Sequence, residues 1–190
     1  MQLLPGNIEL SQNPFEKVIW NLLRKELQED DGILGYKIPS LGLKDGTEIP
    51  SFIYRSRQYG IIVIDIVPSK IIKFEDDYEY WIKTDGDEIY SRDYVINNFC
   101  DDIKNKLRKS IRLYNKKTTN FLFCKDSKPI KSLILFPDNS NSDLVAYEFI
   151  SGYLDKNYPI TIKEFIKSCK TDDISQEQMD DIDSILEGTS

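Results

Sequence analysis

The residues best placed to do chemistry lie in one stretch of the sequence, residues 46–70. This stretch predicts two β-strands joined by a polar turn, and the second strand, residues 60–67, is almost wholly apolar except for Asp65. A metal-dependent phosphodiesterase holds a hard cation with carboxylate oxygens from adjacent strands and stabilises the attacked phosphate with a lysine. Asp65, near the end of a buried strand, is therefore the first candidate for a metal ligand.

The residue types that the chain lacks exclude other chemistries. It contains no histidine, which removes Ser-His-Asp and Cys-His catalysis and histidine-ligated zinc. Its three cysteines, Cys100, Cys124 and Cys169, are odd in number and far apart. Such spacing indicates neither a metal cluster nor a disulfide framework, so we expect free thiols that are buried or half-buried.

Chain length and net charge limit the classes of protein to which this chain can belong. The chain has 190 residues, enough for one domain with a core and a short extension. Its net charge is −7, so any nucleic-acid contact must be a local patch. No run is long enough to cross a membrane, and the first residues lack the basic start and apolar core of a signal peptide. We expect a cytoplasmic protein with no membrane partner.

The elements that must position these residues follow from apolar periodicity. A helix is predicted over residues 11–29, with Ser11 or Asn13 as its N-cap, Pro14 at its first position and Glu16 in its first turn, where the helix dipole favours an acid. A long helix over 94–115 is capped by Ser91 or Asp93. Strands are predicted over 33–41, 48–55, 60–67, 70–74, 78–83, 87–90, 121–124 and 131–136, turns or loops at 44–46 and 137–142, and final helices over 162–170 and 175–187. This order predicts an α/β fold with a mixed sheet flanked by helices.

A change in composition near residue 157 suggests a boundary. We predict an α/β domain over residues 1–156 and a short acidic helical extension over 157–190. Within the extension, residues 171–190 contain no lysine or arginine and seven acidic residues, which are Asp172, Asp173, Glu177, Asp180, Asp181, Asp183 and Glu187.

A run of basic residues without any acid extends from 104 to 117. Its candidates for contact with a DNA or RNA backbone are Lys104, Arg108, Lys109, Arg112, Lys116 and Lys117. Two other interpretations are a solvated helix face and electrostatic docking of this segment onto the chain's own acidic extension.

The order of elements resembles the nuclease-related domain (NERD), a branch of the PD-(D/E)xK superfamily. The resemblance covers roughly residues 14–138 and depends on Asn13-Pro-Phe-Glu16, the strands over 49–54 and 60–67, the segment from Trp81 to Tyr94 and the apolar strand over 133–137. It implies a PD-(D/E)xK restriction-endonuclease-like mixed sheet flanked by helices, with a short C-terminal helical extension.

The chain departs from the family at the positions that carry catalysis. Ser51 (or Pro50, depending on register) stands where the family has a strand aspartate, Asp65 stands for its glutamate, and Val67 stands for its lysine. Glu48, Ser69 or Lys70 could substitute from nearby. Alternation along a strand, however, directs Glu48 to the side of the sheet opposite Ser51, and Lys70 follows Pro68 outside the strand.

Three functions follow from this comparison. The first is a catalytically degenerate nuclease-like domain that binds nucleic acid or a partner and uses no cofactor. The second is an active, divergent nuclease with Asp65, Glu16, Glu48 and Lys70 as catalytic residues and with Mg²⁺ or Mn²⁺ held by Asp65 and Glu48. The third is a protein-interaction adaptor that binds no nucleic acid.

A second resemblance lies in the extension. Residues 173–188, with Ser175 and Gln178, are similar to the segment that precedes the nucleotide-binding loop of UvrD-like helicases, where the glutamine contacts adenine. The 190 residues contain no GxxxxGK[ST] loop. The resemblance implies the N-terminal domain of a helicase-type protein, with the motor in cis as its partner. The alternative is an amphipathic acidic helix with Met179, Ile182 and Leu186 on its apolar side.

Overall fold

The computed structural model describes residues 1–40, 47–75, 79–171 and 174–188. The predicted turn at 44–46 and four residues of predicted segments, Leu41, Tyr78, Asp172 and Asp173, lie outside the described residues. In chain order the elements are β1 (Gln2–Leu4), a 3-10 turn (Ile8–Leu10), α1 (Glu16–Glu26), β2 (Ile33–Tyr36), β3 (Phe52–Ser56), β4 (Gly60–Ile66), β5 (Ile71–Phe74), β6 (Tyr80–Lys83), β7 (Glu88–Tyr90), α2 (Arg92–Leu107), β8 (Tyr114–Asn115), β9 (Asn120–Phe121), β10 (Ile130–Leu135), α3 (Asn141–Leu144), β11 (Gly152–Leu154), α4 (Tyr158–Ser168) and α5 (Gln176–Glu187).

Six strands form a central sheet in the order β1-β2-β3-β4-β10-β11. β3 pairs antiparallel with β2 and β4, whereas β10 runs parallel to both β4 and β11 and β1 runs parallel to β2. All seven residues of β4 are buried, as expected for a β-branched run in the middle of a sheet. The predicted mixed sheet and its buried central strand are confirmed.

Helices cover both faces of this sheet. Because side chains alternate along β4, Ile61 and Val63 join one apolar cluster, whereas Ile62 and Ile64 join another. The first cluster includes side chains of α2 and α5, and we call it the α2–α5 face. The second includes side chains of α1 and α4, and we call it the α1–α4 face. The chain is therefore a mixed α/β protein with a sheet core flanked by helices, as predicted.

The predicted strands between residues 70 and 90 lie outside the central sheet. β5, β6 and β7 form a separate antiparallel sheet, and β8 and β9 form a two-stranded hairpin. Trp81 of β6 is fully buried, with its ring centroid 5.0 Å from that of Phe74 and 5.7 Å from that of Phe136. The buried amide of Asn139 donates to the carbonyl oxygen of Ile71 at 2.9 Å and accepts from its N–H at 3.0 Å, which joins β5 to the loop after β10.

The first helix begins later than predicted. α1 begins at Glu16, and its N-cap is Phe15 without a side-chain hydrogen bond, so neither Ser11 nor Asn13 caps it and Pro14 lies outside it. Asn13 Oδ1 instead accepts from the N–H of Phe15 at 3.0 Å, and Ser11 Oγ donates to the Glu16 carboxylate. These local side-chain bonds offer the backbone an alternative to helix before residue 16.

The long helix is also shorter than predicted. Ser91 is its N-cap, as predicted, and Ser91 Oγ accepts from the N–H of Tyr94 at 3.2 Å. α2 ends at Leu107 rather than at residue 115, and the chain turns so that Leu113, which is fully buried, packs on the α2–α5 face before β8. Packing of this turn overrides the helical spacing of the apolar residues beyond 107.

Short elements account for most other differences. β3 begins at Phe52 rather than at 48, β2 ends before Pro39, and the strand predicted over 121–124 is reduced to Asn120–Phe121. β1, β11 and α3 were absent from the sequence prediction, and α3 begins inside the predicted loop at 137–142. β1, β11 and α3 have only three or four residues each, so their apolar residues give little periodicity.

Both helices of the predicted extension contact the core. Ile162 and Ile166 of α4 pack on the α1–α4 face, and Met179 and Ile182 of α5 pack on the α2–α5 face. Elements on both sides of the predicted division at residue 156 therefore pack on the central sheet. Over the ranges that the structure describes, no helix combines the length and the apolar character needed to cross a membrane.

Candidate functional site

A polar cleft lies at the edge of the central sheet where β4 ends. Its volume is about 690 Å³, and its walls come from residues 6–13, α1, the ends of β2 and β4, and the first residue of α2. Glu16, Glu48 and Asp65 all line it, together with Tyr36 and Arg92. Three of the four predicted catalytic residues therefore share one cleft, although they come from separate parts of the sequence.

Asp65 is 1% exposed, and both of its carboxylate oxygens are bound. Oδ1 accepts from the N–H and from the hydroxyl of Ser51, each at 3.2 Å. Oδ2 accepts from Nε of Arg92 at 2.6 Å. A buried carboxylate is stable when it is paired and hydrogen-bonded. Ser51, which stands where the resemblance implies a second acid, therefore supports the charge of Asp65.

Arg92 joins two of the predicted metal ligands. It is the first residue of α2, and its Nη1 donates to Oε2 of Glu48 at 3.0 Å while its Nε donates to Asp65. Burial alone would lower the pKa of Arg92, but the two carboxylates more than offset this effect and raise it. Sequence analysis did not identify Arg92. The one available signal was a cation in the first turn of a helix, where the dipole disfavours positive charge.

Glu48 reaches the cleft because it lies before β3 rather than within it. The sequence prediction placed it on the side of the sheet opposite Ser51, on the assumption that the strand begins at residue 48. In the structure both residues line the same cleft. Alternation does not apply outside the strand.

Glu16 is buried at the side of the cleft, with 3% of its surface exposed. Its Oε1 accepts from the hydroxyl groups of Ser11 and Tyr36, the latter at 3.0 Å. Its Oε2 is buried without a hydrogen-bond partner among the described residues. Burial, assisted by the nearby Glu16 charge, raises the pKa of Tyr36, so this phenol stays protonated as a donor. Glu16 lies in the first turn of α1, as predicted, and its side chain is buried there.

The lysine predicted for catalysis does not line the cleft. Lys70 is exposed and is not among the residues that line the cleft. Val67, which stands where the resemblance implies a lysine, is fully buried on the α2–α5 face. Lys37, which sequence analysis missed, does line the cleft, and its Nζ donates to the carbonyl oxygen of Ile49 at 2.9 Å. It follows β2 with a φ of 50°, a conformation that non-glycine residues seldom adopt.

The arrangement favours fixed ion pairing over metal chemistry. Among the described residues, no group of three histidine, cysteine, aspartate or glutamate side chains is placed to hold a metal ion. The cation that contacts both Asp65 and Glu48 is the guanidinium of Arg92. A guanidinium keeps its proton and presents directed N–H donors, but it cannot activate a bound water as a divalent metal does.

The six predicted nucleic-acid contacts do not form one helix face. Lys104 lies on α2 and Arg108 is its C-cap, whereas the other four follow in the turn and hairpin; these are Lys109, Arg112, Lys116 and Lys117. The Arg108 guanidinium lies 5.9 Å from the ring centroid of Tyr114 and 5.6 Å from that of Phe121. Lys109, Lys116 and Lys117 are exposed.

The acidic helix α5 docks against this basic segment. Arg112 Nη1 lies 3.1 Å from Oδ1 of Asp181, and the hydroxyl of Ser110 donates to Oδ2 of the same carboxylate at 2.9 Å. The Gln178 side chain donates to the carbonyl oxygen of Arg112 at 3.3 Å and accepts from the N–H of Ser175 in a capping box. Docking onto the chain's own acidic segment, one of the three interpretations of the basic run, is confirmed at Arg112.

A second buried arginine fixes the other end of α5. The side chain of Arg55 is 3% exposed, and it contacts Asp183 at 2.6 Å through Nε and Glu187 at 2.8 Å through Nη2. Sequence analysis did not identify Arg55 either, because its partners follow more than a hundred residues later.

The three cysteines are free, as predicted. Burial raises the pKa of Cys100 to about 12 and that of Cys169 to about 11. These two thiols are therefore poor nucleophiles near neutral pH.

The chain was compared with protein-family models, with curated proteins and with solved structures, and none of the three comparisons found a match.

Proposed function

We propose that this chain is a catalytically degenerate nuclease-like domain that acts by binding rather than by cleaving phosphodiesters. The fold order supports the nuclease-like part of the proposal. A leading helix, two antiparallel strands, a second helix and a strand parallel to the second of those strands follow one another as α1, β3, β4, α2 and β10. This is the order of elements that the resemblance to the NERD branch of the PD-(D/E)xK superfamily implies.

The contact between Arg92 and Asp65 is the observation that supports a catalytically degenerate site. Asp65 is the family acid that the chain retains on its central strand, and it is bound by Arg92 at 2.6 Å in a buried position. Ser51 adds no charge there, and Val67 faces the core, where it cannot reach a phosphate. A resident guanidinium competes with a divalent cation for the same two carboxylates, Asp65 and Glu48.

A cleavage assay tests this proposal. The chain and its Asp65→Ala variant are incubated with single- and double-stranded DNA and with RNA, each in Mg²⁺ and in Mn²⁺. We expect no cleavage by the chain above the level of the variant. Metal-dependent cleavage that disappears in Asp65→Ala would establish the active, divergent nuclease instead.

Nucleic-acid binding is a second candidate function, and the exposure of Lys109, Lys116 and Lys117 favours it. Contacts with the phosphate backbone predict that the logarithm of the binding constant falls linearly with the logarithm of the salt concentration. On double-stranded DNA the slope is about 0.9 for each phosphate neutralised. The variant Lys116→Glu/Lys117→Glu should weaken binding and flatten this slope. The charge-matched control, Lys25→Glu/Lys167→Glu, changes exposed lysines of α1 and α4 and should not.

Equal effects of the two double variants would contradict contact at Lys116 and Lys117. No measurable binding of single- or double-stranded DNA would favour a protein-interaction adaptor. The negative charge that α5 brings beside Arg112 already weakens this surface for an anionic ligand.

We also propose that the chain is attached to a helicase motor, because residues 173–188 resemble the segment that precedes the nucleotide-binding loop of UvrD-like helicases. The Gln178 amide, which the resemblance assigns to adenine, is bound to Ser175 and Arg112 in the docked helix. Contact with a nucleotide would require α5 to leave this position. A longer chain that contains the motor should therefore show faster hydrogen exchange in α5 when ATP is bound.

A further inference from the structure

A second pocket opens beside the start of α2, on the outer side of Glu48. Its volume is about 320 Å³, and its lining comes from residues 47–48, Glu79, β7 and the first two turns of α2. The lining includes the rings of Tyr90, Tyr94 and Phe99 and the carboxylates of Glu48 and Glu79. Among the described residues that line this pocket there is no lysine or arginine. We call it the tyrosine pocket.

Two of the three aromatic side chains of the tyrosine pocket are open to solvent. Tyr90 is 47% exposed and Tyr94 is 45% exposed. Tyr80 stacks on Tyr90 with ring centroids 4.9 Å apart and an interplanar angle of 25°. Phe99, which is buried, forms part of the α2–α5 face. Two tyrosines exposed this far at the mouth of a concave site present their rings to a ligand rather than to the protein core.

The fold also places two acidic residues, Glu48 and Glu79, at the tyrosine pocket. Glu48 contacts Arg92 through Oε2 at 3.0 Å, and its side chain is 47% exposed. The carbonyl oxygen of Glu79 accepts from the N–H of Ser91 at 2.7 Å, which places this residue beside the N-terminus of α2. Arg92 carries one positive charge against the carboxylates of Asp65 and Glu48, so together with Glu79 the charges beside the start of α2 stay net negative. Aromatic faces are also negative, so the pocket favours a cation over a phosphate.

We propose that the tyrosine pocket receives a lysine side chain of a protein partner. The ammonium group would lie between the two tyrosine rings and the two glutamates, and the methylene stem would lie along Val95 and Phe99. The pocket is near the lower limit of volume for sites that enclose a free ligand, so a side chain presented by a larger surface suits it better than an isolated small molecule. This inference rests on the proposed function only in that the domain acts by binding.

The test uses the full chain, observed by NMR amide shifts, and three probes. These are a glycine pentapeptide with a central lysine, the same peptide with norleucine in place of lysine, and tetramethylammonium chloride. We expect saturable shifts at residues 47–48, 79 and 90–99 with the lysine peptide and little change with the uncharged norleucine peptide. Tetramethylammonium should bind more weakly than the lysine peptide, because it lacks the stem.

Two pairs of variants assign the effect to the pocket. Tyr94→Ala should weaken the lysine peptide about twofold to fivefold, the range for an exposed cation–π contact, and Tyr94→Phe should retain the affinity. Glu79→Gln should weaken it, whereas Glu88→Gln, an exposed change on β7 outside the pocket lining, should not. Because Tyr94 is half-exposed, its replacement leaves the core intact.

Equal binding of the lysine and norleucine peptides, no saturable shift, or no effect of Tyr94→Ala would overturn the inference. Tetramethylammonium binding as tightly as the lysine peptide would overturn the assignment to a protein partner. None of these variants changes Asp65 or Arg92. The cleavage assay therefore succeeds or fails independently of this test.

Discussion

Arg92 and Arg55 are two buried arginines that bind carboxylates on the same face of the central sheet. The carboxylates that they bind belong to different elements of the fold. The side chains of Arg92 and Arg55 are 10% and 3% exposed. The main partner of Arg92 is Asp65, a residue of the central strand that is itself 1% exposed. The partners of Arg55 are Asp183 and Glu187, which are 29% and 49% exposed and belong to the C-terminal helix α5.

The difference shows how one kind of ion pair serves two structural purposes. Asp65 cannot move to water without disrupting β4, so Arg92 closes a polar cleft inside a fixed sheet. The acids opposite Arg55 sit on a surface helix that can separate from the sheet and be hydrated. A buried charge that loses its partner is costly only when water cannot reach it. The two sites should therefore respond differently to the same substitution.

The largest effect is expected for Arg92→Leu. This change leaves the Asp65 carboxylate buried with only Ser51 as a neutral partner, and we expect a loss of about 3–5 kcal/mol in the free energy of unfolding. Urea unfolding measures this loss. The double variant Asp65→Asn/Arg92→Leu should recover much of it, because no charge then remains. If the double variant is no more stable than the single one, Asp65 does not depend on Arg92.

A smaller effect is expected for Arg55→Leu. The freed Asp183 and Glu187 can be hydrated, so the cost should be near that of lost hydrogen bonds to charged groups, about 1.5–3 kcal/mol. Hydrogen exchange should rise mainly in α5. Arg24→Leu, an exposed change on α1, is the control and should have little effect. A loss as large as that of Arg92→Leu would remove the distinction between the two sites.

A higher salt concentration should affect the two ion-pair sites differently, and this effect should be smaller than that of Arg55→Leu. Raising NaCl from 0.1 M to 1 M shortens the Debye length from about 10 Å to about 3 Å, and half-exposed pairs are screened more than buried ones. We expect faster amide exchange in α5 and unchanged exchange in β4, as measured by mass spectrometry. Equal acceleration in both elements would mean that burial does not distinguish the two arginines.

The smallest effect is expected for Arg112→Ala. Arg112 is 56% exposed in its pair with Asp181, and exposed pairs contribute about 0–1 kcal/mol. Asp181→Ala should cost more, because it also removes the hydrogen bond from Ser110. Urea unfolding of both variants gives the comparison. A larger loss for Arg112→Ala than for Asp181→Ala would contradict the docking described for α5.

Much of the fold could be predicted where apolar spacing is regular and long. Residues 60–67 predict a buried strand because β-branched side chains fill both faces, and β4 is that strand. Ser91 was identified as a cap by its position before an apolar repeat. The end of α2 was not, because Ile111 and Tyr114 continue the helical spacing along the sequence. In the structure the chain turns after Leu107, so that Leu113 is buried and Ile111 is exposed.

The candidate site was predictable only in its acids. Asp65 stands out as the acid in an apolar run, and Glu48 was selected because it lies near Ser51 in the chain. Glu16 was selected because the resemblance implies an early glutamate on the leading helix. Arg92 was not selected, because it is 27 residues from Asp65 and nothing local to either residue indicates the pair. Sequence analysis did not identify the tyrosine pocket either, because its lining joins residues 47–48 to the start of α2, which lies far from them in the sequence.

The sequence by itself determined that histidine chemistry is absent, that one acid lies on the central strand, and that serine and valine occupy positions 51 and 67. Only the tertiary structure decided that a guanidinium binds that acid, and that a second arginine holds the last helix. Apolar periodicity is a local property, so it can be read along the chain. Which charges meet depends on how distant elements pack, and an ion pair forms only within a few ångströms.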